Sequence, residues 1–267
     1  MFSHSFKMIW AERKSNAWIL AELIIVFSIL WFCSGFIYEK GKKYSEPVGF
    51  DIKHTYLLQF GLKRGITNDN KGDPETLAQD GLTIFERIKK HPEVEAACFS
   101  SGNAYPYSTS YSSRQYLKDT ISYVASIRNV SPGFFDVFRI KFQKGKTFDS
   151  NEILSEKQVV VSPDRKNKFY DNDILSMEHL SDMELDQNEP LPKKRPETKE
   201  EWAQLKFIEV RYPVSGVINK VKRGDFENYE RIVFSPFKSQ ELSDINGWTN
   251  ISIRVKEHAD KDFPAKF

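Results

Sequence analysis

Cysteine is almost absent from this chain, which has two in 267 residues. Cys33 lies in an apolar run near the N-terminus and Cys98 in a predicted strand, so we do not expect them to meet. A disulfide scaffold is thereby excluded, and the folded part depends on its core. An excess of charge of one sign is also lacking, because the formal net charge is +2. Nucleic-acid surfaces usually carry a clear basic excess, so we expect no nucleic-acid partner.

Motifs for bond chemistry are missing too. No G-x-x-x-x-G-K-[ST] loop is present to bind nucleotide phosphates, and no G-x-S-x-G turn exposes a serine nucleophile. Residues 69–73 (DNKGD) lack the alternating ligands and the bidentate Glu of a calcium loop. None of the five histidines has a partner at zinc-ligand spacing; they are His4, His54, His91, His179 and His258. We therefore predict no enzyme activity, no catalytic residues, no cofactor and no metal site.

One long apolar run is present, from Ala17 to Tyr38. As a helix it is roughly 33 Å long, which matches the ~30 Å hydrocarbon core of a bilayer. A cleaved signal peptide has a shorter apolar region and a small-x-small cleavage site, whereas this run ends in bulky residues. A core helix rarely stays apolar on every face over such a length. Residues 17–38 are therefore predicted to be a retained transmembrane helix.

The surroundings of this helix leave two questions open. Glu22 inside the run either snorkels to the interface or faces a neighbouring helix. Basic residues are equally frequent on both flanks, so the positive-inside rule gives no orientation. Residues 1–16 are predicted to be an amphipathic segment in the headgroup region, with a frayed basic tail as the alternative. Its apolar face consists of Phe2, Phe6, Ile9 and Trp10.

The polar remainder alternates strand and helix patterns. A strand is predicted at 55–60, a helix from Asp73-Pro74 to near His91, and a strand at 94–99. A helical turn is expected at 131–138, and further strands at 122–128, 158–161, 206–210, 213–218, 229–234 and 251–255. Residues 105–113 are predicted to be a loop, and the charged segment 171–201 a partly disordered surface insertion. The pattern predicts an α+β fold.

Several short motifs follow one another in a fixed order along this remainder. They are HPEVE (91–95), VSPGFF (130–135), GKTF (145–148) and VSGVINK (214–220). Phe134, Phe135, Phe138, Phe142 and Phe148 are expected in the core or at a lobe interface. The order and spacing resemble the MacB-like periplasmic core domain of permeases of the MacB/FtsX (type VII) ABC transporter family.

The resemblance implies an N-terminal transmembrane helix followed by a two-lobed extracytoplasmic mixed α/β domain over residues 44–267. Its outer lobe would comprise 44–128 and 206–267, and the inserted strand-rich lobe 129–205. Permeases of this family carry three further transmembrane helices after the domain. None follows here, so we expect a chain truncated after the periplasmic domain, as a natural product or as a fragment.

The resemblance also implies a function. The chain would be a non-catalytic permease subunit that couples motion of membrane helices to an extracytoplasmic domain, which moves or hands over substrate. Implied partners are a separate cytoplasmic ABC ATPase subunit, a second permease subunit, the lipid bilayer and a periplasmic partner protein. The resemblance also places the N-terminus in the cytoplasm, so residues 1–16 would be a cytoplasmic amphipathic segment and the chain would cross the inner (plasma) membrane once, with its bulk in the periplasm. The alternative is a single-anchor extracytoplasmic sensor or ligand-binding domain.

Overall fold

The computed structural model describes residues 13–59, 74–102, 104–118, 121–148, 158–163, 179–185, 207–237, 249–259 and 263. They belong to two compact units. The first unit comprises Met1–Pro47 and Asp225–Glu227, and the second comprises Val48–Gly224 and Asn228–Phe267.

The first unit is dominated by helix α1, Arg13–Ser45. This helix contains the predicted run and extends beyond it at both ends. Its segment Ala17–Ser45 is long and apolar enough to cross a membrane, and the apolar side chains are exposed. Beyond the run, an ion pair of 2.8 Å joins Lys43 Nζ to Glu39 Oε1, one turn earlier in the helix. Residues 1–12 of the predicted amphipathic segment lie outside the described residues.

The described elements of the second unit are ten strands and two helices. In chain order they are β1 Thr55–Gln59, α2 Pro74–Lys89, β2 Val94–Ser101, β3 Ser112–Lys118, β4 Ile121–Val130, α3 Phe134–Val137, β5 Phe142–Gly145, β6 Val159–Ser162, β7 His179–Leu185, β8 Phe207–Ile218, β9 Ile232–Pro236 and β10 Thr249–Val255. A short 3-10 turn, Glu257–Ala259, follows β10. The α+β prediction is confirmed.

A three-stranded antiparallel layer has the order β1–β10–β2. Alternate residues of β10 bury Ile251, Ile253 and Val255 in a cluster with Ile88 of α2, and Phe85 of the same helix packs against it. The apolar stripe of α2 thus covers one face of the layer, as its helical spacing predicts. The strands predicted at 94–99 and 251–255, the helix from Pro74 and the strand predicted at 55–60 are confirmed, the last as far as residue 59; residue 60 and Asp73 lie outside the described residues.

Six other strands form a closed circuit of pairings. Strand β4 pairs with β3, and the pairings continue through β7, β8, β6 and β9 and return to β4, which β9 joins in parallel. Side chains from this circuit form one buried cluster: Tyr116, Ala125, Val159, Val161, Tyr212, Val217 and Val233. The circuit includes strands from both predicted lobes, and the proposed lobe boundaries remain a prediction.

A third core surrounds the short helix α3. Phe134, Phe135, Phe138 and Phe148 are buried there, and Phe142 packs against them. The rings of Phe134 and Phe135 also contact Phe234 of β9, with centroids 5.7 Å and 5.4 Å apart. The aromatic residues predicted to be core are therefore core, and they join α3 to the strands around it.

The structure corrects the sequence prediction in three strand regions. Strand β7 lies inside 171–201, predicted to be an insertion without strands, and β3 begins inside the predicted loop 105–113. Strand β8 is continuous where two strands were predicted. The second predicted strand began at Pro213, whereas in the structure Pro213 lies inside β8, where it pairs with β7, and the ladder with β6 begins only at Val214. Pro213 is therefore tolerated because no β6 pairing needs its missing N–H.

Candidate functional site

The VSPGFF motif connects β4 to α3 and holds this turn against β2. Ser131 N donates to Phe99 O at 2.9 Å, and Phe99 N donates back to Ser131 Oγ at 2.9 Å. A Cβ atom on Gly133 would lie 2.5 Å from Ala97 O, so only glycine allows this approach. The motif thereby places the two phenylalanines in the α3 core.

Two motifs that are far apart in sequence meet where β5 pairs with β8. Gly145 faces Gly216 across this antiparallel pair, and Lys146 N donates to Ser215 O at 3.1 Å. Gly145 has φ of +72°, a conformation that side chains rarely adopt, and its Cβ would collide with Ser215 O. The glycines of GKTF and VSGVINK are therefore explained by one close backbone contact.

The HPEVE motif is joined to the segment after β10. Lys256 N donates to Glu93 O at 2.9 Å, and Lys256 Nζ donates to Pro92 O at 2.7 Å. The His91 ring meets Phe263 edge to face, with centroids 5.8 Å apart. These contacts give the motif a structural role in fixing the end of α2 to β10.

Arg254 is a buried cation in β10 that sequence reasoning did not single out. Its Nε donates to Val137 O at 2.5 Å, Nη1 to Lys53 O at 2.7 Å and Nη2 to Asp51 O at 2.6 Å. Burial lowers the pKa of Arg254, and the carboxylate of Asp51 opposes that shift. The three carbonyls share one guanidinium, so this side chain connects α3, β10 and the segment before β1.

An open cleft of about 700 Å³ lies beside the β3–β4 hairpin. Its walls combine two tyrosines, two arginines, one glutamate and small residues: Tyr111, Ser113, Val124, Ala125, Ser126, Arg223, Tyr229, Glu230 and Arg231. The Arg223 guanidinium lies over the Tyr111 ring at 4.6 Å. Such a mixture of cations, aromatic faces and hydroxyls suits a polar partner surface.

A charge cluster includes two of the residues that line this cleft, Arg223 and Glu230. Glu230 accepts from Arg223 and lies 3.6 Å from Arg128 Nη2. Burial lowers the pKa of Arg128 to about 10, although the charge of Glu230 acts against that change. Lys222 is fully buried, with its ammonium group 5.2 Å from the Tyr229 ring. One carboxylate thus faces two arginines, which leaves the cluster positive.

The structure describes three of the five histidines with their side chains: His54, His91 and His258. Among the described residues, no three His, Cys, Asp or Glu side chains come together in a group that could hold a metal ion. Cys33 and Cys98 are both free thiols, as expected. Burial raises the pKa of Cys98, which disfavours the reactive thiolate. The prediction that the chain carries no catalytic, cofactor or metal residues stays a prediction.

Comparison with known proteins gives a family match. The family profile described as MacB-like periplasmic core domain matches residues 57–262. The periplasmic region of MacB from Actinobacillus actinomycetemcomitans is 16% identical, with 84% of this chain and 85% of that chain covered and a TM-score of 0.42. The extracellular domain of the noncanonic ABC-type transporter YknZ from Gram-positive bacteria is also 16% identical, with coverages of 78% and 87% and a TM-score of 0.39. No curated protein matches the chain.

Proposed function

The chain belongs to the family of MacB-like periplasmic core domains, and from that membership we propose that it is a permease subunit of an ABC-type transporter. One observation carries the proposal. The family match begins at residue 57, shortly after the single described helix that is long and apolar enough to cross a membrane. A membrane helix leading directly into this domain is the arrangement that a permease of this family requires.

The proposed role is mechanical coupling without bond chemistry. A cytoplasmic ABC ATPase subunit would supply the energy and a second permease subunit would complete the membrane part. Helix α1 runs without interruption to Ser45, and the second unit begins at Val48. A continuous helix transmits displacement better than a flexible linker does, because its backbone hydrogen bonds resist bending. Motion of α1 would therefore reach the domain that moves or hands over substrate.

The proposed location is the inner membrane, with the N-terminus in the cytoplasm and the domain of residues 44–267 outside. There the open cleft would contact a periplasmic partner protein. Its two arginines, against one glutamate, and its two tyrosines would favour an acidic, partly aromatic partner surface. The two-lobed division at 44–128 with 206–267 and at 129–205 belongs to the same proposal.

Co-purification of the full chain from native membranes tests the role. We expect an ABC ATPase subunit to elute with the chain in stoichiometric amount, and ATP hydrolysis to accompany the complex. The Glu22→Leu variant is purified in parallel with the native chain, and the comparison shows whether the Glu22 side chain contributes to contacts within the membrane. Repeated recovery of the chain without any ATPase would contradict the proposal and would favour the single-anchor sensor.

A further inference from the structure

A second, smaller cavity lies in the second unit, away from the open cleft. Its volume is about 290 Å³ and it is lined by Ile52, Thr55, Tyr56, Leu57, Tyr105, Pro106, Tyr107, Phe138 and Ser252. None of these lining residues carries a charge, and most are aromatic or aliphatic. Small-molecule sites have this composition, with apolar walls and a few placed polar groups. The size and the walls suit an uncharged, compact ligand.

The lining residues that carry hydroxyl groups are three tyrosines, Thr55 and Ser252 of β10. Ser252 is 1% exposed, and its hydroxyl lies beside the Cys98 thiol, which is only a weak donor. Ser252 Oγ has no hydrogen bond of normal geometry. Two residues along the strand, both side-chain atoms of fully buried Asn250 also lack hydrogen-bond partners. Ser252 Oγ and the polar atoms of Asn250 each expose less than 1 Å², so a ligand in the cavity does not reach them and meets the aromatic and aliphatic side chains of the wall instead.

The backbone around the cavity is unusual. Among the described residues, three that are not glycine have positive φ: His54 at 58°, Tyr107 at 63° and Arg139 at 49°. Tyr107 lines the cavity, His54 is next to the lining residue Thr55, and Arg139 follows the lining residue Phe138. All three therefore lie in the cavity wall or next to it in sequence. Left-handed residues of this kind are costly, and they concentrate at ligand sites.

Hydrogen bonds hold this wall in place. Tyr107 N donates to Arg223 O at 3.0 Å, Val255 N donates to His54 O at 2.9 Å, and Asp51 N donates to Phe138 O at 2.9 Å. The Tyr107 ring also meets Phe50 edge to face, with centroids 5.5 Å apart. The cavity is thus formed before a ligand arrives, which lowers the entropic cost of binding.

We propose that this cavity is a binding site for an uncharged, flat aromatic or compact apolar group. The inference is independent of the transporter role, because it rests on the walls of the second unit alone. The absence of charge among the lining residues makes a carboxylate-bearing analogue a poor ligand, since nothing in the wall compensates its desolvation.

The probe that tests the site is 5-fluoroindole, which is uncharged and has one N–H donor. Fluorine NMR titration of the full chain in detergent micelles should show one saturable site per chain above the linear partition into micelles. Leu57→Trp fills the cavity from a lining position that is 39% exposed, and should weaken binding by at least about tenfold. Ile84→Trp changes a similarly exposed residue of α2 outside the cavity and should leave binding unchanged.

Two further measurements keep the proposal open to refutation. Ile52→Trp fills the same cavity from another exposed lining position, in case Leu57→Trp does not fold. The anionic analogue 5-fluoroindole-2-carboxylate should bind at least about tenfold more weakly than 5-fluoroindole. Binding that is only linear in probe concentration, or equal in all variants, or equal for the two probes, would overturn the assignment.

Discussion

Arg254 and Asp51 contact each other twice. Arg254 Nη1 lies 3.6 Å from Asp51 Oδ2, and Arg254 Nη2 donates to the carbonyl oxygen of the same residue at 2.6 Å. The guanidinium is fully buried while the carboxylate is a third exposed. One cation therefore satisfies both the side chain and the backbone of the segment that leads into β1.

Arg254→Met should destabilise the second unit by about 3–5 kcal/mol, because it leaves one buried carbonyl, two part-buried carbonyls and one carboxylate without their shared donor. Arg139→Met is the matched control. Arg139 also pairs with Asp51, at 3.7 Å, but its side chain is 55% exposed. Its loss should cost no more than about 1 kcal/mol. Denaturant unfolding of both variants measures the difference, and equal losses would show that Arg254 does not hold these elements together.

Gly145→Ala should destabilise the second unit by about 2 kcal/mol or more, because alanine is strained at a positive φ and its Cβ collides with Ser215 O. Gly224→Ala is the comparison. A Cβ there would meet only the Tyr107 ring at 3.4 Å, at the edge of ordinary contact. Thermal unfolding should show a clear loss for the first variant alone. A neutral Gly145→Ala would contradict the explanation of the GKTF motif.

Tyr107→Gly should be more stable than Tyr107→Ala by about 1 kcal/mol, although glycine is usually the less stable residue. Both variants lose the same ring, so the comparison isolates the backbone at φ of 63°. Glycine adopts that conformation without steric cost, whereas alanine does not. The measurement is the difference in unfolding free energy. The opposite order would show that Tyr107 carries no backbone strain and would weaken the argument for a preformed cavity.

Ionisation of the Cys98 thiol should lower the unfolding free energy of the second unit at alkaline pH. Burial raises the pKa of Cys98 above its ordinary value of 9.0, so the unfolded chain loses its proton first. The stabilising contribution is complete below pH 9.0 and is lost as pH rises above it. Relative to Cys98→Ala, the native chain should lose about 1.4 kcal/mol between about pH 8 and pH 10.

The comparison is made in a Cys33→Ser background, so that one thiol titrates. Urea unfolding at several pH values gives, for each chain, the slope of the unfolding free energy against pH. A difference that stays constant with pH would mean that Cys98 ionises as readily in the folded chain as in the unfolded one.

Apolar periodicity in the sequence was sufficient to predict much of this fold. Alternate isoleucines predicted β10, and the aromatic residues after Ser131 predicted the α3 core, because burial of large apolar side chains dominates the energetics. The family motifs were recognisable for a physical reason as well. Gly133 and Gly145 occupy positions where a Cβ would collide with a backbone carbonyl, so few other residues are tolerated there.

Other features depend on contacts that no local pattern contains. Strand β7 is a polar segment, HLSDMEL, that pairs with β8 along its whole length. The role of Arg254 requires carbonyls from residues 51, 53 and 137, which only the tertiary fold brings together. The cavity is lined by residues from 52 to 252, and Tyr107, the lining residue with positive φ, carries no glycine signature.

The most direct test of the central claim is the sidedness of the two ends of α1. Ser3→Cys and Tyr44→Cys are made separately in a Cys33→Ser background, in which the remaining Cys98 is buried. Cells whose outer barrier is permeabilised and whose inner membrane is intact are treated with a membrane-impermeant thiol reagent. The account predicts labelling at position 44 and none at position 3 until the membrane is lysed. Ile84→Cys, an exposed site in the second unit, should label like position 44. Labelling at position 3 but not at position 44 or 84 would contradict the account.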